Sequence, residues 1–68
     1  MMQFPEFSSF DARLNSFSTW PKQIKQSIYD LAAAGLFYTG YDDATLCFHC
    51  GKGLHQWEIT DIPRIEHY

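Results

Sequence analysis

Apolar positions recur at helical spacing in two stretches of the chain. In the first, Phe10, Leu14 and Phe17 fall four and three residues apart, the repeat that marks one face of a helix. Ser8 or Ser9 stands where a cap is wanted, and Asp11 places an acidic group in the first turn, where the helix dipole favours it. The expected helix runs through Asp11, Ala12, Arg13 and Leu14, buries Phe10, Leu14 and Phe17 together, and ends at Trp20-Pro21 because the residue before proline is pushed out of the helical region. In the second stretch, Ile24, Ile28, Leu31 and Ala32 mark the apolar face of a helix over residues 24–34. Gly35 follows where a left-handed C-cap is expected.

Beyond Gly35 the pattern shortens. Residues 36–38 and 44–48 read as two strands around the turn Gly40-Tyr41-Asp42-Asp43, so an antiparallel hairpin is the simplest connection. Gly51 and Gly53 turn the chain again, and residues 54–57 supply a third strand. Asp61, Ile62 and Pro63 form a helix start, with the carboxylate as cap and proline in the first turn. His67 then falls about two turns inside that last helix. No internal repeat, low-complexity stretch or linker interrupts the chain.

Length makes this pattern demanding. A chain of 68 residues holds one domain, 1–68, and a domain of that size buries only about 60% of its unfolded surface. Such scaffolds need a staple. Cys47 and Cys50 are the only cysteines, and a bridge between them would close too small a loop to constrain much of the unfolded chain. A metal is the better staple. Aromatic residues at 18% and apolar residues at 46% argue for a folded chain rather than a disordered one. A formal charge of -3 without a basic stripe argues against nucleic acid as a partner. No stretch approaches the roughly 20 apolar residues of a membrane span. The first ten residues, with Pro5 and Glu6 and no basic region, do not read as a signal peptide. The expectation is a soluble chain of the cytoplasm, with the nucleus as a second location, where thiols stay reduced and paired cysteines hold metal.

The candidate metal site starts from that pair. A Cys-x-x-Cys in a turn delivers two thiolates to one point, and sixteen residues separate Cys50 from His67, a zinc-site spacing. Thiolates with an imidazole favour zinc over magnesium or calcium. The competing reading of the same residues is a redox or simply buried cysteine pair beside an unrelated histidine. A closed site also needs a fourth ligand. His49, between the cysteines, should leave the strand on the side opposite to theirs, and His55 falls in the third strand; both read as solvent-facing or groove-facing rather than as ligands. Three ligands and a water would describe a catalytic zinc, with Glu58 and Glu66 as bases by sequence proximity alone. No nucleophile-base pair supports an enzyme.

From residue 13 to residue 67, about four-fifths of the chain, the sequence resembles the baculoviral IAP repeat (BIR) domain of inhibitor-of-apoptosis proteins. The residues that carry the resemblance are Arg13, Phe17, Trp20-Pro21, Leu31-Ala32-Ala33-Ala34-Gly35, Tyr38-Thr39-Gly40, Asp43, Cys47-Phe48-His49-Cys50, Gly53-Leu54, Trp57, Asp61, Pro63 and Glu66-His67. It implies an α+β fold, a small zinc-binding domain with a three-stranded antiparallel sheet surrounded by short helices. It implies zinc on Cys47, Cys50, His67 and a later cysteine, separated from the histidine by six intervening residues. That is position 74, past Tyr68, so the expectation is a domain truncated at its C-terminus.

The resemblance also implies a function. Repeats of the peptide-binding type capture the free N-terminus of a partner beginning with alanine, either a caspase or a mitochondrial antagonist of these inhibitors. Such a peptide adds a strand to a sheet edge, with main-chain bonds giving affinity and pockets giving specificity. Gly53, Leu54 and His55 match the edge strand, Trp57 the floor of the pocket for the alanine methyl, and Asp61 and Glu66 the acids that receive the ammonium, a charge-assisted contact. Each has a plainer role open to it: Trp57 as core, Asp61 as helix cap, Glu66 as a solvated helix residue. Arg13 is expected to be structural, satisfying backbone carbonyls or an acidic partner. Two other functions stand beside the leading one: a mitotic adaptor resembling the chromosomal passenger proteins, which read a histone tail, and an assembly domain that binds signalling adaptors by another surface.

Overall fold

In a computed structural model of the protein, the residues described are 2–58 with Ile62 and Pro63. Helix α1 covers Phe10–Asn15 and α2 covers Ile28–Ala33; strands β1, β2 and β3 are Leu36–Tyr38, Thr45–Cys47 and Gly53–Leu54. Two 3-10 turns, Pro5–Phe7 and Ser16–Thr19, flank α1. The strands make one antiparallel sheet in the order β1-β2-β3, with Phe37 opposite Leu46 and Leu46 opposite Gly53. No helix among the described residues is long and apolar enough to cross a membrane.

Local chemistry accounts for the starts and stops. Ser9 caps α1 by accepting from the Ala12 N–H at 3.1 Å, as a serine at that position should. Ser27 does the same for α2 through the Asp30 N–H. Gly35 takes φ +92°, the left-handed geometry that ends a helix at no steric cost. The chain then passes directly into β1. Phe17, Leu31, Ala32, Leu36, Tyr38 and Cys47 form the core, where Leu31 and Leu36 are wholly buried. Each fully buried leucine contributes about 2 kcal/mol. The core formed by the described residues is small, in keeping with the need for a staple.

Three expectations require correction. The second helix begins at Ile28 rather than at residue 24. Ser27 is extended and caps α2 through the Asp30 N–H, and the residue before it, Gln26, is buried with its amide donating to the Glu58 carbonyl. The third strand ends at Leu54 rather than at residue 57, because Gln56 is left-handed, at φ +58°. Phe10 does not share the buried face: it is 39% exposed at the first position of α1, and Arg13, 8% exposed, takes the inner position instead.

The N-terminal segment contributes more than its sequence suggested. The Gln3 and Phe4 N–H groups donate to the His49 and Phe48 carbonyls at 3.1 and 2.8 Å. Phe7 stacks on Phe37 at 4.0 Å, and Phe4 meets the same ring edge-on at 5.1 Å. Residues 3–7 thereby strap the sheet face that α1 and α2 leave open. Phe37 is buried under this segment, while Leu36 and Tyr38 belong to the core cluster, so all three residues of β1 are buried.

Candidate functional site

Cys47 closes β2 and is buried, and Cys50 lies three residues on at the surface; they are not joined by a disulfide. The turn between them is closed by its own atoms. The Cys47 Sγ accepts from the His49 and Cys50 N–H groups at 3.4 and 3.5 Å, and the Cys47 carbonyl accepts from the Gly51 N–H at 2.9 Å. Both N–H groups point at the Cys47 sulfur, and a cysteine binds metal as its thiolate. Two soft donors presented by a single tight turn suit zinc. His49 is exposed in the turn after β2, as is Cys50, so strand alternation does not separate it from the cysteines. His67, the third expected ligand, lies outside the described residues, and among the described residues no three potential ligands converge.

Arg13 supports this turn from below. Its Nε donates to the Ala32 carbonyl at 2.8 Å and its Nη1 to the Phe7 and Ser8 carbonyls at 3.0 and 2.9 Å. The guanidinium also stands 4.6 Å from the centre of the Phe48 ring, within cation–π range. Burial pushes its pKa down from the ordinary value, and the neighbouring Cys47 charge partly restores it. Arg13 therefore joins the end of α2, the N-terminal segment and the cysteine turn. Its expected structural role, satisfying carbonyls, is the one observed.

The candidate edge follows at once. Gly53 and Leu54 are β3, whose inner side pairs with β2 and whose outer side pairs with no strand among the described residues. A side-chain carbon added at Gly53 would meet Leu46 Cδ2 at 3.4 Å, an ordinary contact. The fold has no need of glycine there. His55 is exposed after the strand. Trp57 packs against the core cluster, while its indole N–H is buried and has no hydrogen-bond partner among the described residues. Asp61 and Glu66, the two acids expected beside it, lie outside the described residues. A separate recess, lined by Asp30, Ala33, Ala34, Ile62 and Pro63, contains none of the expected site residues.

Sequence reasoning gave Asp43 and Gln26 no part in this site. The Asp43 carboxylate accepts from the Gln56 N–H at 2.9 Å and from the Trp57 N–H at 2.7 Å. These contacts hold Gln56 in a conformation that costs a residue with a side chain about 1–3 kcal/mol. Gln26 holds the next carbonyl, that of Glu58. An aspartate in a turn and a glutamine before a helix are ordinary sequence features, and no local signal ties either to Trp57.

Comparison with known proteins agrees with this architecture. Residues 13–68 match the family model of the Inhibitor of Apoptosis domain, BIR. Baculoviral IAP repeat-containing protein 7-B of Xenopus laevis is 52% identical over 94% of this chain and 19% of its own length. The apoptosis inhibitor IAP of Cydia pomonella granulosis virus is 46% identical over 93% of this chain and 23% of its own length. The chain thus spans about a fifth of the length of these curated relatives. Among solved structures, the autoinhibited dIAP1-BIR1 domain superposes with a TM-score of 0.83 at 29% identity, over 98% of this chain and 69% of that one. DIAP1 BIR1 bound to a Grim peptide superposes with a TM-score of 0.77 at 34% identity, over 85% of this chain and 59% of that one.

Proposed function

The chain belongs to the BIR family of inhibitor-of-apoptosis domains, and on that premise we propose that it is a peptide-capture module, acting in the cytoplasm, that takes the free alanine-start N-terminus of an antagonist or a caspase. The observation that carries this reading is the outer edge of β3. Unpaired N–H and C=O groups on a short edge strand are a template for a further strand. Gly53 keeps that edge clear of side chain although the backbone there does not require glycine. The Grim peptide bound to the similar DIAP1 BIR1 supports an antagonist as the partner.

In this reading the peptide adds beside Gly53 and Leu54, Trp57 floors the pocket for the alanine methyl, and Asp61 and Glu66 receive the ammonium. Zinc would be held by Cys47, Cys50 and His67 and would supply the staple of the fold. The two cysteines act as ligands rather than nucleophiles, so no catalytic step is assigned to the domain.

The test is a calorimetric titration of the zinc-loaded protein with an alanine-start tetrapeptide and with its N-acetylated twin. Binding of the free amine alone supports the reading. If neither peptide binds a protein with intact zinc and fold, the edge is not a capture site. Asp61→Asn is expected to weaken the free-amine peptide by about 1–3 kcal/mol, the cost of stranding a charged group; an unchanged affinity would remove Asp61 from the site.

A further inference from the structure

The floor of the proposed pocket is not held by its own strand. β3 ends at Leu54, and nothing in the local sequence Leu54-His55-Gln56-Trp57 requires the chain to turn there. The turn is imposed by two side chains from elsewhere. Asp43, on the loop between β1 and β2, gives one carboxylate to two successive N–H groups, those of Gln56 and Trp57. Gln26, in the loop before α2, is itself buried and donates to the carbonyl of Glu58, the residue after Trp57.

The Asp43 loop is in turn fixed to the sheet. The Tyr38 hydroxyl donates to the Asp42 carbonyl at 2.7 Å, and the Thr39 hydroxyl donates to the Ala44 carbonyl at 3.0 Å. Tyr38 belongs to the buried core. A continuous set of contacts therefore runs from the core through Asp43 to the backbone on which Trp57 sits.

We infer that Asp43 and Gln26 are the positioning residues of the capture groove, holding the N–H groups of residues 56 and 57 and the carbonyl of residue 58 and so fixing Trp57 relative to the β3 edge. The inference rests on the peptide-capture reading, since a pocket floor must be held to about 0.5 Å to discriminate a methyl group. The chemistry of Asp43 is specific. Both N–H groups need an acceptor, and an ionised carboxylate has two acceptor oxygens, whereas an asparagine amide offers one oxygen and turns an NH2 group toward the second N–H.

Asp43→Asn is therefore the sharpest probe, with Gln26→Met as a second variant of similar shape. The zinc-loaded proteins are compared at a temperature where circular dichroism shows all of them folded. Amide hydrogen exchange at Gln56 and Trp57 is expected to accelerate about tenfold or more in Asp43→Asn, the scale of one charge-assisted hydrogen bond, while the Leu31 amide in α2 is unchanged. The Trp57 indole resonance should move in both variants, and the alanine-start tetrapeptide should bind about tenfold more weakly, again the scale of one such bond. Unchanged exchange and an unmoved indole resonance would overturn the inference, as would faster exchange with undiminished peptide affinity. If the wild-type protein binds no peptide, the capture reading fails by itself, and the exchange and resonance data still decide whether these residues position Trp57.

Discussion

The cysteine turn, residues 47–52, and the β3 edge, residues 53–58, follow one another in the chain but are held by different means. The turn has a local closure of its own, in which the Cys47 sulfur accepts from residues 49 and 50 and its carbonyl accepts from Gly51, and the N-terminal segment and Arg13 then dock on it from outside. The edge is closed from a distance. Asp43 reaches forward 13 and 14 residues, and Gln26 reaches 32. A locally closed turn carries its geometry in its own sequence, whereas a remotely closed one depends on the rest of the fold being in place first.

That difference can be broken, most forcefully at the metal. If zinc joins the cysteine turn to a distant histidine, chelation removes the main staple, and structural zinc in small domains is worth about 10 kcal/mol. Cooperative unfolding, followed by near-ultraviolet circular dichroism, should then disappear on adding chelator; a metal-free protein with the same midpoint would contradict the zinc assignment. Arg13→Met should come next, because it removes three hydrogen bonds from the guanidinium and leaves the Phe7 and Ser8 carbonyls without their donor, while the Ala32 carbonyl keeps the Gly35 N–H. A loss of about 3 kcal/mol is expected in denaturant unfolding, the upper range for hydrogen bonds to a charged group.

Two glycines sharpen the contrast with smaller effects. Gly51, inside the turn, has φ +78°, and an added carbon would stand 3.3 Å from Gln3 Cγ. Gly51→Ala should therefore cost about 1–2 kcal/mol of stability, from the left-handed backbone alone. Gly53, on the edge, meets only ordinary contacts, so Gly53→Ala should change stability by no more than about 0.5 kcal/mol. Gly53→Val should leave the fold intact yet weaken the alanine-start peptide. Equal destabilisation by the alanine substitutions at 51 and 53 would erase the distinction between the two regions.

The same distinction explains what could be read beforehand. Ser9 and Gly35 were legible because a helix cap is a contact within three or four residues. The hairpin strands were legible because alternation and a turn are local. The Cys47-Cys50 turn was legible for the same reason, whereas Gly53, which the local pattern reads as a turn residue, was matched to the edge strand through the family resemblance. The end of β3 and the exposure of Phe10 were not. Each is decided by a partner far along the chain: Asp43 finding Gln56 and Trp57, and Arg13 taking the inner position of α1 to reach Ala32.

The sequence by itself determined the two described helices and the hairpin strands, the core residues Leu31 and Ala32 of α2, the cysteine turn and the family resemblance, because short-range hydrogen bonding and hydrophobic period are properties of neighbouring residues. Only the tertiary structure decided that residues 3–7 strap the open sheet face and that Asp43 and Gln26 hold the backbone around Trp57. A buried N–H or carbonyl must find a partner wherever the fold supplies one, and which residue that is depends on how distant segments pack.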